Sequence, residues 1–479
     1  MWWLLLLIPA ALMVFVAVLL IRAASFKPKA QPKLSENEEQ IDTDRAVENL
    51  CALVRCKTVS YTDSSLEDDA EFEKLISLLP SLYPNVDKTC EMTRMPDRGL
   101  LFRWSGKDAT APAVMMAHYD VVPVNAEAWE VDPFAAIVKD GRIFGRGTLD
   151  TKVTFGSILL AADTLIGEGF VPEHDIYFAF SGGEEVNGKG AVHIVDYFEE
   201  HGIEPSLVLD EGGAVVEGVF PGVSAPCGLI GIAEKGMMNV EYAVSSGGGH
   251  ASAPKPNAPI DRLSSACTKV LSNPFELKLT PPVAEMFDTL GRHSNLVYRI
   301  IFSNLKVFLP VLNMICKKSG GEMNALMRTT VAFTQMQGSS APNVIPPRAS
   351  MVSNMRLNPH DTVDEALDYL KKTVGDDKVE ITLLHGMNPS RISRTDCEGW
   401  DKVASAVAST WKGCIVSPYL MVQCSDSRHW GRISDRVYRF SAMDLTSEER
   451  ATIHGNNESI RIETLRHATE FYLRLMRNC

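Results

Sequence analysis

A run of apolar residues from Val114 to Ala117 ends on His118, and Asp120 follows two residues later. A buried strand has no packing reason to finish on this pair. A histidine can bind a metal ion through one ring nitrogen while an acid holds the other and fixes tautomer and orientation. A lone His-x-Asp is more often a hydrogen-bonded loop, but three further elements deliver acids to the same kind of place. Glu184 and Glu185 follow DIYFAF through Ser-Gly-Gly. Asp210 and Glu211 end SLVL just before Gly212 and Gly213. Asp150 closes the glycine turn FGRGTLD and precedes the apolar run VTFGSILLAADTLI.

Carboxylates gathered in one place repel, and burying them without counter-charge is costly. A pair of divalent cations resolves this. Imidazole nitrogen with carboxylate oxygen is a usual zinc set. Two metals about 3.5 Å apart can share a bridging carboxylate and a bridging water. In the adjacent pair Glu184-Glu185, one carboxylate can ligate while its neighbour acts as general base.

The elements that must position these residues read as an α/β fold. AVMMA, a helix from about Thr151, DIYFAF, a helix from about Gly190 and SLVLD alternate. This order predicts a mixed, largely parallel sheet with helices on both faces. Ligand sites in such sheets gather beyond the carboxyl ends of the strands, where the acids and His118 fall. FAAIVKDGRIFGRG predicts a hairpin turning at Asp140-Gly141. From Gly236 the pattern becomes βαββαβ, the ferredoxin-like order of a small inserted domain, interrupted by a helical insertion at about 275–325. The predicted organisation is an N-terminal apolar segment over 1–22 and a polar linker over 23–42. A larger unit in two parts, 43–235 and 389–479, then flanks a smaller unit over 236–388.

The net charge of −13 argues against a nucleic-acid partner. Ten scattered cysteines without a CxxC pair give no zinc-ribbon or redox motif. Trp2 to Ile21 contains no charged or strongly polar residue and is long enough to cross a bilayer. Its length, with no basic residue before it beyond the amino terminus, favours a retained membrane anchor over a cleaved signal peptide. The alternative is secretion after cleavage in RAAS. Arg22, Lys27 and Lys29 favour a cytoplasmic side for the chain beyond the span, although little chain precedes the span for comparison.

The motifs AHYDVVPV, WEVDPF, DGRIFGRGTLDTK, GGEEVNGKGA, LDEGG, GGGHASAP, NVIPP and IHGNNE occur in this order over about residues 45–479. Together they resemble the zinc-dependent family of aminoacylase, carboxypeptidase S, carboxypeptidase G and succinyl-diaminopimelate desuccinylase. The similarity is closest to the carboxypeptidase S and N-acyl-amino-acid amidohydrolase branch. The resemblance implies a catalytic domain in the larger unit and a lid or dimerisation domain in the smaller, and two zinc ions per chain, with cobalt or manganese as substitutes. It implies His118, Asp150 as the bridge, Glu185, Glu211 and His454 as ligands. It also implies Glu184 as general base and Asp120 as the partner of His118. Asp210 competes with Glu211 for the third carboxylate; Glu211 is chosen because the family ligand tends to sit directly before the small residue that ends this strand.

The same resemblance assigns His250 to the substrate carbonyl oxygen, from the neighbouring chain in dimeric relatives, so a homodimer is expected. Asn343 and Arg356 match substrate-contacting positions, and the arginine fork suits a free carboxylate. Asp426, Arg428 and His429 match a supporting segment. Two positions depart from the family pattern: Gly183 precedes the acidic pair, and Thr151 follows Asp150 at a peptide that is cis in the family. The implied reaction is amide hydrolysis of N-acyl amino acids or short N-blocked peptides with a free carboxylate. A two-metal hydrolase of another substrate class and a non-catalytic membrane-tethered binding protein are the alternatives.

Overall fold

The structure, a computed structural model, describes residues 2–35 and 38–479, with side chains from residue 7 onward. Residue 1 and residues 36–37 of the stretch read as a linker lie outside the described residues. The main sheet has eight strands in the order Glu91–Met95, Gly99–Trp104, His174–Ser181, Asp108–His118, Leu207–Val216, Val437–Leu445, Cys227–Glu234, Ile415–Met421. The four strands from His174–Ser181 to Val437–Leu445 run parallel to one another, while Gly99–Trp104 and Cys227–Glu234 pair with them antiparallel on either side. Their side chains alternate between the two faces, as the pleat requires. Met115 and Ala117 enter the larger core with helices Lys152–Gly167 and Ile462–Arg477. Val114 and Met116 enter a smaller core on the other face, with Phe198 and Trp430. Runs such as AVMMA are apolar throughout because both faces of this sheet are covered.

A separate antiparallel sheet has the order Thr330–Gln337, Arg348–Leu357, Gly236–Ser245, Glu380–Met387. In chain order these are strands two, three, one and four of the βαββαβ run. Helices Pro259–Ser272 and Val363–Val374 share its core through Leu263, Val270, Ala366 and Leu370. The second helix begins at a capping box, Thr362 with Glu365, and ends at Gly375 with φ 53°.

The insertion is helical, but it does not extend this small sheet. Its helix Pro281–His293 turns Val283, Met286, Phe287 and Leu290 into the larger core, against the edge strand Ile415–Met421. The reason is the edge itself: an outermost strand leaves an apolar flank that the amphipathic helix covers.

The polar stretch after the N-terminal helix Trp2–Ser25 is a strap across the main unit. The Arg292 guanidinium sits 4.3 Å from the Phe26 ring centre. Lys29 pairs with Asp288 at 2.6 Å, Gln31 accepts from Val416 N–H at 3.0 Å, and Glu39 pairs with Arg477 at 3.1 Å. All ten cysteines are free thiols.

Candidate metal centre

The strand Asp108–His118 ends inside the fold, and His118 and Asp120 are both buried. His118 Nδ1 meets the Asp120 backbone oxygen at 3.0 Å and a carboxylate oxygen of Asp120 at 3.4 Å. The two Asp120 oxygens also accept the backbone N–H groups of Glu184 and Glu185, at 3.2 and 3.3 Å. One carboxylate therefore orients the histidine and the acidic turn together. That turn, Glu184–Val186, closes when Gly188 N–H donates to the Gly183 carbonyl at 2.7 Å.

Strand Leu207–Val216 presents its acids to opposite sides. Its pairing with Val437–Leu445 jumps from Asp210↔Arg439 to Gly213↔Phe440, so Glu211 and Gly212 bulge from the ladder. Glycine is required here: Gly212 has φ 150°, and a Cβ on Gly213 would lie 1.8 Å from the Leu229 carbonyl oxygen. The bulge brings Glu211 Oε1 to 3.4 Å from His118 Nε2. Asp210 is buried and accepts the Ser427 N–H at 2.8 Å instead.

Asp150 lies between two histidines. Its Oδ1 is 2.9 Å from His118 Nε2 and its Oδ2 is 3.0 Å from His454 Nε2. His454, at φ 58°, also meets Glu185 Oε2 at 3.1 Å. The result is two half-sites sharing one carboxylate: His118, Glu211 and Asp150 on one side, His454, Glu185 and Asp150 on the other. Ligating atoms of His118, Glu184 and Glu211 also lie within 4.8 Å of one another, which puts Glu184 beside the first half-site. The peptide Asp150–Thr151 is cis.

The electrostatics suit positive charge. Burial raises the Glu184 carboxyl well above the ordinary range and Glu211 to about 7, with neighbouring carboxylates adding to both. Burial opposes protonation of His118, yet Glu211, Asp120 and Asp150 outweigh it and raise its pKa well above the usual value. Hydrogen bonds to Asp150 and Glu185 raise His454 to about 10. Glu185 Oε1 is buried without a hydrogen-bond partner. An orphan carboxylate oxygen among crowded acids is what a divalent cation satisfies, so this donor set fits divalent metal.

Asp150, Glu184, Glu185, Glu211 and His454 line a cavity of about 650 Å³ whose other walls include the apolar Val219, Leu229, Met421, Met443 and Ile453 together with Glu322, Gln423 and Arg450. His250, Asn343 and Arg356 are not among its lining residues. His250 and Asn343 sit together on the small sheet unit: His250 pairs with Val344 across a two-stranded ladder, and the Asn343 carbonyl accepts Ala251 N–H at 3.0 Å. Both are exposed. Arg356 reaches Cys424 Sγ at 3.3 Å, and Cys424 borders the cavity. Asp426 accepts the Ser181 hydroxyl at 2.5 Å, and Arg428 pairs with the fully buried Glu234.

Sequence reasoning missed Glu458 and Arg146. Glu458 is fully buried and accepts from Arg146 Nη1 at 2.5 Å, from Gly147 N–H at 3.1 Å and from Leu149 N–H at 2.6 Å. Arg146 in turn donates to the Gly455 carbonyl at 2.8 Å. This clamp ties the Asp150 loop to the His454 loop, aided by strand Ser459–Arg461 pairing with Arg142–Phe144. The only signal in the sequence was the acid at the end of the GNNE run, one residue beyond which the strand begins.

The chain matches the profile of peptidase family M20/M25/M40 over residues 114–478. It is 34% identical to "N-fatty-acyl-amino acid synthase/hydrolase PM20D1" of Xenopus tropicalis, over 98% of this chain and 93% of the relative. It is 31% identical to "Probable carboxypeptidase S-like 2" of Dictyostelium discoideum, over 96% of this chain and 90% of the relative. Among solved structures, the M20 family metallo-carboxypeptidase Sso-CP2 from Sulfolobus solfataricus superposes with a TM-score of 0.66 at 18% identity, covering 90% of this chain and 98% of that one.

Proposed function

The chain belongs to peptidase family M20/M25/M40, and from that premise we propose that it hydrolyses the amide bond of N-acyl amino acids or short N-blocked peptides with a free carboxylate, at a site holding two zinc ions. The observation that carries the reading is Asp150 spanning His118 and His454, with Glu211 and Glu185 on either flank. His118, Glu211 and Asp150 would hold one ion; His454, Glu185 and Asp150 the other. Bound there, the ions supply Lewis acidity for a water and for the scissile carbonyl.

Glu184 is the general base. It lies beside the first half-site, and a buried carboxyl with a raised pKa can take a proton from water and return it to the leaving nitrogen. Asp120 sets the imidazole of His118 and the backbone of Glu184 at once. The apolar cavity walls suit an acyl chain or apolar side chain and exclude water. The small antiparallel sheet acts as a lid, on which His250 donates to the developing oxyanion and Asn343 contacts substrate. Arg356, near the cavity margin, takes the substrate carboxylate. The two names among the relatives, fatty-acyl-amino-acid hydrolase and carboxypeptidase, bracket this substrate class.

The N-terminal helix is a retained anchor. Supporting this, Ala23 is fully buried and the strap behind it is tied to the main unit. A mature N-terminus found near Ala24 would overturn the anchor. The test of the reaction is metal analysis of purified protein with a panel of N-acyl amino acids, blocked dipeptides and phosphate esters. Chelation should abolish hydrolysis of the first two classes and added zinc should restore it. Activity confined to phosphate esters, or indifferent to chelation, would contradict the proposal.

A further inference from the structure

Helices Leu296–Ser303 and Leu305–Ser319 meet at 107° around Asn304 and carry an apolar face that the rest of the described chain leaves uncovered. Val297 and Met314 are each 65% exposed, and Leu296, Val307, Val311 and Ile315 are exposed as well. Single exposed apolar side chains are ordinary, but this many on two consecutive helices mark an interaction surface.

Two observations say what covers it. The first is charge: from Ser294 to Gly321 the chain carries Arg299, Lys306, Lys317 and Lys318 and no carboxylate, in a protein of net charge −13. The second is position. Helix Leu296–Ser303 packs against the N-terminal apolar helix, and Asn304 Nδ2 donates to the Leu19 carbonyl at 3.2 Å. Leu19 lies two residues before the apolar run ends at Ile21, about 3 Å of helix rise. If that helix spans a bilayer, its contact with the insertion falls at the boundary between acyl tails and headgroups.

We propose that the Leu296–Ser319 helix pair is a membrane-docking face. It lies in the interface of the bilayer that holds the N-terminal helix, with apolar side chains among the acyl tails and lysines and arginine among anionic headgroups. The inference rests on the anchor reading and is independent of the reaction. The next helix, Gly321–Met327, lends Gly321, Glu322 and Ala325 to the wall of the catalytic cavity, so docking sets that cavity beside lipid.

The test uses the full chain in phosphatidylcholine–phosphatidylserine vesicles containing a brominated lipid. Met314→Trp and Val311→Trp place separate tryptophans on exposed positions of the face. Leu12→Trp reports the N-terminal helix, and Leu384→Trp reports an exposed position on the small sheet. In difference from the parent chain, the Met314→Trp and Val311→Trp signals should be blue-shifted, largely lost to brominated lipid and protected from aqueous iodide. Leu384→Trp should behave oppositely. Iodide quenching of both face positions equal to that of Leu384→Trp overturns the proposal. Protection from both quenchers means that protein covers the face and also overturns it. Leu12→Trp separates the two readings: lipid quenching there but not at the face leaves the anchor standing and removes the docking surface.

Discussion

Replacing Glu458 by glutamine should loosen the metal centre without touching any proposed ligand. The carboxylate and the Arg146 guanidinium are both buried, 2.5 Å apart, and the carboxylate accepts two backbone N–H groups of the Asp150 loop. Removing one partner of a buried ion pair costs about 3–5 kcal/mol, because the other charge is left uncompensated. Glutamine keeps an oxygen for the Leu149 N–H, so Glu458→Gln should fall near the lower end, about 3 kcal/mol. Arg146→Met should cost less, since the remaining carboxylate retains its N–H donors. The double variant should be less destabilised than the sum by about 1–3 kcal/mol, the coupling expected of groups in contact.

The functional effect comes from the two loops that the clamp joins. Asp150 and His454 are on separate loops, and the second half-site needs both. Zinc affinity should fall about 10- to 100-fold, as when a group that orients metal ligands is lost. Denaturant unfolding of the zinc-loaded proteins and zinc titration against a competing chelator measure the two effects. Unchanged zinc affinity and stability in Glu458→Gln would refute the clamp, as would an Arg146→Met variant more damaging than Glu458→Gln.

Glu211→Ala should lower metal affinity more than Asp210→Ala, because Asp210 is spent on the Ser427 N–H; zinc titration giving the reverse order would move the ligand to Asp210. Trimming the chain to residue 41 should lower the melting temperature relative to trimming to residue 26, since the strap contacts of Lys29, Gln31 and Glu39 go with it; equal melting would make the stretch a plain linker. His250→Ala should keep its metals yet lose about 10²- to 10³-fold in turnover, as for an oxyanion donor. If His250 acts across a homodimer, co-expression with Glu184→Ala chains should return about a quarter of the parent activity, because half of randomly paired dimers are mixed and half of their sites are complete; no return from proven mixed dimers excludes action in trans.

Much of the sheet was legible because both faces are covered: AVMMA and IYFAF are continuous apolar runs that stop just short of His118 and the acidic turn. The capping box at Thr362 and the turn at Asp140-Gly141, whose φ angles of 52° and 70° suit a two-residue hairpin, are local signals of the same kind. What local pattern cannot carry is long-range pairing. The insertion reads as part of the small unit by chain position, yet its apolar stripe covers the edge strand Ile415–Met421. The strap is polar and proline-bearing like a linker, and only its distant partners distinguish it. Glu211 and Asp210 are indistinguishable by type; a bulge against a strand more than two hundred residues away brings one to His118. The acid of Glu458 is visible in its motif, but its partner Arg146 lies over three hundred residues earlier.

The most direct test concerns Glu184 as a base that binds no metal in an otherwise complete two-ion site. Glu184→Gln, purified and analysed for zinc and for hydrolysis of an N-acyl amino acid, should retain zinc close to the parent's level while turnover falls by about three orders of magnitude. Retention of most activity, or loss of zinc together with activity, would contradict it.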